Sequence, residues 1–179
     1  FKTSNGRTVY DGGGIYPDFE TEVEYLSDIS ISLARKDLIF DYATVYKATN
    51  STLHDGVKFR VSEKEYQDFI AWLQNKDYDY ITESEALLEE FKATAEEEDY
   101  FGALSKEYED LLAKIKHDKK NDLQKQSNEI KRLLENELVT RYYYREGAIE
   151  NSFAYDIEMK KAVELLSNPV LYKAALKAQ

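Results

Sequence analysis

Proline occurs only twice in this chain, at Pro17 and Pro169, and four of its seven glycines fall within the first fourteen residues. In a helix interior, glycine costs roughly 1 kcal/mol and proline about 3 kcal/mol relative to alanine. The long middle of the chain is thus nearly free of the residues that most often interrupt helices, and its apolar pattern follows the helical period. Ile31, Leu38, Ile39, Tyr42, Ala43 and Tyr46 recur on one face of a helix running to Asn50. Ser62-Glu63-Lys64-Glu65 and Thr82-Glu83-Ser84-Glu85 are capping boxes, in which a hydroxyl and a carboxylate satisfy amide groups at a helix start. The first opens a helix with Tyr66, Phe69, Ile70 and Leu73 along its stripe and Trp72 to one side. The second opens a helix expected to bury Leu87, Leu88 and Phe91.

A further helix follows from Phe101, with Leu104, Tyr108, Leu111, Leu112 and Ile115. The longest runs from Asp122 to about Arg145, on the stripe Leu123, Ile130, Leu134, Leu138 and Tyr142. At its end stand Tyr142, Tyr143 and Tyr144. Successive residues turn by about 100°, so Tyr142 is the inward member, and Tyr143 and Tyr144 are expected to cover a flanking helix or a second chain. Gly147 and Asn151 suggest a break. Ile157, Ala162, Val163 and Leu166 then mark a helix closed by Asn168-Pro169, and Val170 to Lys177 form a last short one. The expected fold is mostly α, an irregular domain of about six or seven helices.

The opening differs. Thr8-Val9-Tyr10 is a short β-prone run between the turn signals Asn5-Gly6 and Asp11-Gly12. Gly12-Gly13-Gly14 can hold backbone angles that other residues avoid, and Pro17 stiffens the exit. This strand and glycine-rich turn precede the helices. A lone strand is marginal in water, so the segment is expected to pair with a sheet outside this chain. The domain reading is 1–25 for the strand, turn and connector, and 26–179 for the helical domain.

Phe1-Lys2-Thr3-Ser4-Asn5-Gly6-Arg7, followed by Gly14-Ile15-Tyr16-Pro17-Asp18, resembles the end of the catalytic domain in carboxyl-terminal processing proteases. These tail-specific proteases are serine endopeptidases with a serine–lysine catalytic pair. The spelling Val9-Tyr10-Asp11-Gly12-Gly13-Gly14 and the acidic, tyrosine-rich tail resemble the form found in Bacteroidetes-type bacteria. The resemblance implies that residues 1–25 end a protease catalytic domain and that the parent cleaves proteins near their C-termini. It also implies a periplasmic or cell-envelope location, and protein or peptide substrates met through the protease domain. In the family the catalytic serine and lysine lie upstream of this motif. No catalytic residue is therefore carried onto this chain, which by itself is expected to be inactive and to serve a structural, assembly or substrate-presenting role. The alternative is a stand-alone helical interaction or scaffold module with no protease parent.

The remaining residues assign no site: catalytic none, cofactor none, metal none. A nucleophilic serine needs a base within reach, and Ser105-Lys106 point to different sides of a helix. His54 and His117 have no ligand at a recognisable metal spacing. Gly12-Gly13-Gly14 lacks the lysine and spacing of a phosphate loop. Glu96-Glu97-Glu98-Asp99 reads as a solvated helix end, since consecutive helical positions diverge and a calcium-loop spacing is absent. With a net charge of −11, nucleic acid is not an expected partner. No run is long and apolar enough to be a transmembrane helix. One asymmetry stands out. Thr82–Asp110 carries eleven acidic residues against Lys92 and Lys106, whereas Lys114–Arg132 carries seven basic residues against three acidic ones. Complementary helix faces or a surface for a charged partner would each account for it, and self-association is left open.

Overall fold

The computed structural model describes residues 1–4, 6, 8–10, 17–119 and 121–176. Among them the chain is mostly α, with nine helices. These are α1 (Asp28–Arg35), α2 (Leu38–Thr49), α3 (Glu63–Leu73), α4 (Glu83–Glu97), α5 (Phe101–Lys119), α6 (Asp122–Lys125), α7 (Ser127–Ser152), α8 (Ile157–Leu166) and α9 (Pro169–Ala175), with a 3₁₀ turn at Gly56–Lys58. The number exceeds six or seven because two expected helices are each divided. The first breaks after Arg35, where Asp37 takes the left-handed region (φ 57°). Aspartate tolerates that conformation better than most residues. The second breaks after Lys125, at Gln126.

The Gly12-Gly13-Gly14 turn lies outside the described residues. The expected strand is reduced, among the described residues, to one antiparallel bridge between Lys2 and Thr8. The Phe1 amine donates to the Val9 carbonyl and the Val9 amide to the Phe1 carbonyl, both at 2.9 Å. A two-stranded pairing this short has no apolar face to bury and does not grow into a ladder.

The chain divides into two compact units, Leu26–Asn151 and the pair Phe1–Tyr25 with Ser152–Gln179. In the larger unit α7 supplies the central post, with Ile130, Leu134, Leu138 and Val139 buried along it. Around these pack Ile29 and Leu33 of α1, Leu38, Ile39, Tyr42 and Ala43 of α2, and Tyr66, Phe69 and Leu73 of α3. Leu53, Phe59 and Val61 complete the core from the segment between α2 and α3. The Tyr42 ring stands edge-on to Phe69 at 4.9 Å and to Trp72 at 5.5 Å, an arrangement that aromatic quadrupoles favour. Each such buried side chain is worth about 1.5–3 kcal/mol in transfer free energy.

The same post carries polar ties. The Glu129 carboxylate accepts the Ser27 amide and hydroxyl, both at 2.9 Å, which sets a negative charge at the start of α1. Glu135 is only 3 % exposed, and it accepts the Val61 amide at 2.8 Å with Arg60 3.9 Å away. Asn151 donates to the carbonyls of Val57 (2.7 Å) and Phe59 (3.1 Å). Between Glu135 and Asn151 the helix bends at Tyr144 (φ 60°, ψ −165°). That region is natural for glycine and strained for tyrosine. The bend presses Gly147 against Tyr143, so that a Cβ at Gly147 would stand 2.3 Å from the Tyr143 Cβ. The tyrosine expectation is corrected in part. Tyr142 does face inward, donating to the Asn50 carbonyl at 2.5 Å, but Tyr144 is 76 % exposed, so within this chain it does not cover a flanking helix.

α4 and α5 form an antiparallel hairpin that contributes little to this core. Of its side chains only Ala95 and Tyr108 are buried. Leu87 and Phe91 were expected inside and stand exposed, because α4 turns Leu88, Lys92 and Ala95 toward α5 instead. In the smaller unit α8 is capped by the Asp156 carboxylate, which accepts the Met159 amide at 2.7 Å. α9 is capped by Asn168, with Pro169 in its first turn. Neither helix buries a residue, and Val163 and Leu166, which mark the first of them in the sequence, are exposed. Two short helices against an extended segment have too little depth to bury a face.

Candidate functional site

The most built polar recess lies where the Lys76–Tyr80 segment meets the start of α4 and the end of α5. Lys76, Asp77, Tyr78, Asp79 and Tyr80 form one wall, Glu85, Lys116 and Lys119 the other, with Leu123 at the base, around a hollow of about 490 Å³. The second capping box positions Glu85: Thr82 caps α4 and the Glu85 carboxylate reaches back to the Thr82 amide at 2.9 Å. That carboxylate also accepts Lys119 Nζ at 2.9 Å. Lys119 donates as well to Asp79 at 3.2 Å and to the Tyr80 carbonyl. The Tyr80 hydroxyl donates to Asp122.

The electrostatics fix what this cluster can do. Burial works against the charged form of Glu85, yet the bonds from Thr82 and Lys119 outweigh it and hold its carboxyl below the ordinary glutamate range. Burial likewise works against Lys119, but Glu85 and Asp79 raise its pKa above the ordinary lysine value. Burial and the Asp122 carboxylate push the Tyr80 hydroxyl up. These shifts favour a charged Lys119 and a neutral Tyr80 hydroxyl, the states that ion pairing and hydrogen-bond donation use. The cluster is a pinned ion-pair network that joins the 76–80 segment to the hairpin.

The residues weighed from sequence lie apart. Ser105 and Lys106 sit on adjacent positions of α5, and among the described residues neither side chain makes a hydrogen bond or ion pair. The hydroxyls nearest the core have structural partners: Ser27 with Glu129, Ser32 with the Tyr78 carbonyl at 3.0 Å, Ser62 with Glu65 at 2.6 Å. His54 lies between Asp55 (3.1 Å) and Glu65 (3.2 Å) and stands edge-on to Phe59. Its pKa is raised by the Asp55 hydrogen bond, with burial opposing and Glu65 adding. His117 is exposed on α5. Glu96–Asp99 is the exposed end of α4, with Asp99 in the left-handed region at φ 60°. Among the described residues no group of three or more His, Cys, Asp or Glu is placed to hold a metal ion, and no helix is long and apolar enough to cross a membrane.

Glu129 and Glu135 were not singled out in the sequence, and Asn151 was read only as a break, although one signal existed for Glu135. Glu135 lies four residues before Val139 and five after Ile130, within the apolar stripe, where a carboxylate has to find a partner. Lys119 and Glu85 carried only a coarse signal, the opposite charge of 82–110 and 114–132, because the antiparallel turn of the hairpin decides which residues of the two stretches meet.

Residues 29–166 match the family model described as the C-terminal helical domain of probable PDZ-proteases. The chain belongs to this family. The match begins inside α1, runs through the α7 post and the hairpin, and ends at the last residue of α8. It accords with the resemblance of residues 1–18 to a protease C-terminal portion, reached from separate residues. Comparisons with curated proteins and with solved structures found no significant match. The helical domain thus belongs to a family named for probable PDZ-proteases.

Proposed function

We infer that the chain is the C-terminal portion of a carboxyl-terminal processing serine endopeptidase of the serine–lysine type. In this reading residues 1–25 end the catalytic domain and residues 26–179 are a helical domain that performs no chemistry. The observation that carries it is the family match over residues 29–166, beside an opening whose Phe1–Arg7 and Gly14–Asp18 resemble the segment that follows the catalytic lysine. A structural, assembly or substrate-presenting role fits the ion-pair network in which Lys119 ties Glu85 and Asp79 across the hairpin. The parent protease would meet protein or peptide substrates in the periplasm or cell envelope.

The test is the coding sequence immediately upstream of Phe1, together with activity. A serine–lysine catalytic segment is expected there, with cleavage of unstructured C-terminal peptides by the parent and none by this chain. An upstream region without such a segment overturns the serine–lysine reading. Turnover by the chain alone that survives replacement of Ser105 and Lys106 overturns the structural role.

A further inference from the structure

The α4–α5 hairpin shows an apolar strip on its outside. Leu87 is 58 % exposed, Phe91 46 % and Leu111 48 %. Their placement follows from helical phase. α4 turns Leu88, Lys92 and Ala95 toward its partner, and α5 turns Tyr108 and Leu112 back. Leu87, Phe91 and Leu111 each precede one of these inward residues by one position, a rotation of about 100°. The helices run antiparallel, as the Glu85–Lys119, Glu89–Tyr108 and Lys92–Phe101 pairings show. In that arrangement the rotations on α4 and α5 lead to the same side, so the three side chains share one face.

The surround of that face is acidic on balance. Glu83, Glu90 and Glu107 are exposed beside it against one exposed cation, Lys114, three residues after Leu111, and none of the three glutamates makes an ion pair among the described residues. Lys92 does not offset them, because it is turned across the hairpin over the rings of Phe101 (5.6 Å) and Tyr108 (5.9 Å). Large apolar side chains in a contiguous strip mark an interaction surface, and unpaired charge around them selects the partner by sign.

We propose that the Leu87, Phe91 and Leu111 face of the hairpin docks a basic amphipathic helix of a separate polypeptide. Its apolar side chains would lie on the strip while its lysines or arginines meet the flanking glutamates. A second copy presenting the same face is disfavoured, because a two-fold contact brings the exposed glutamates of one copy against those of the other. The inference is independent of the catalytic type of the parent protease.

The test titrates the chain with labelled synthetic helices and follows fluorescence anisotropy. One helix is built of lysine and leucine, a second of glutamate and leucine, and a third of lysine and serine. The lysine–leucine helix is expected to bind best and the glutamate–leucine helix not at all. Leu87→Ser with Phe91→Ser is expected to weaken binding about tenfold or more, the effect of removing central apolar contacts. Glu90→Gln with Glu107→Gln is expected to weaken it and to flatten its dependence on salt. All four positions are exposed, and circular dichroism of each variant checks that the fold persists. Equal binding of the lysine–serine helix overturns the proposal, as does no binding or an unchanged affinity in the Leu87→Ser, Phe91→Ser variant. A concentration-dependent dimer in sedimentation that the same variant abolishes reassigns the face to a second copy.

Discussion

Set α3 beside α4. Both open with a complete capping box, and both carry apolar residues at helical spacing. α3 buries Tyr66, Phe69 and Leu73 against α2 and α7, whereas α4 buries only Ala95. The caps decide where a helix begins, and tertiary neighbours decide whether its apolar stripe becomes core. An amphipathic pattern is therefore a statement of what a helix can bury, and α4 shows that the offer need not be taken up within the same unit.

The comparison is broken or sharpened first by the phenylalanines. Phe69→Ala is expected to cost roughly 3–5 kcal/mol, because a large side chain with no exposure leaves a cavity. Phe91→Ala is expected to stay within about 0.5 kcal/mol, as exposed changes do. Urea denaturation of the two variants measures the gap, and similar losses would place α4 in the core.

The bend in α7 comes next. Gly147→Ala is expected to cost about 1–3 kcal/mol, because its Cβ would collide with the Cβ of Tyr143 rather than with a movable side-chain end. Tyr144→Gly should do the reverse. Releasing a strained positive φ is worth about 1–3 kcal/mol, more than the roughly 0.5–1 kcal/mol that glycine loses to entropy. A melting temperature that falls in Tyr144→Gly would show that α7 runs straight.

Thr82→Ala removes one capping box and is expected to cost about 1 kcal/mol. The loss should be local, so hydrogen exchange should quicken in α4 while the amides of α7 keep their protection. Uniform loss of protection would mean that the hairpin and the α7 core unfold as one.

The smallest effect belongs to pH. The folded pKa of His54 is raised, so its protonated ring stabilises the fold. That contribution is complete below the ordinary histidine range of about 6.5 and is lost as pH rises through the higher folded value. The ring is half exposed, so the effect is small. The stability difference between the chain and His54→Gln should shrink from about pH 6 to about pH 8. A difference that grows would reverse the assigned sign.

Much of this was legible in the residues alone. The scarcity of proline and glycine between Pro17 and Pro169, the two capping boxes and the Ile130–Tyr142 stripe determined a mostly helical chain, two exact helix starts and the inward face of α7. These are local properties, set by amides needing partners and by a period of 3.6 residues. Tertiary structure alone decided which stripes were covered. Leu87, Phe91, Leu111 and Val163 have the pattern of core residues and no neighbour to bury them, whereas Glu135 and Asn151 are buried because the 57–61 segment brings amides and carbonyls to them. Asp37 and Tyr144 likewise turn the chain at positions with no glycine to announce it. Burial depends on groups far apart in sequence meeting in space, and a single helix carries no record of what will lie against it.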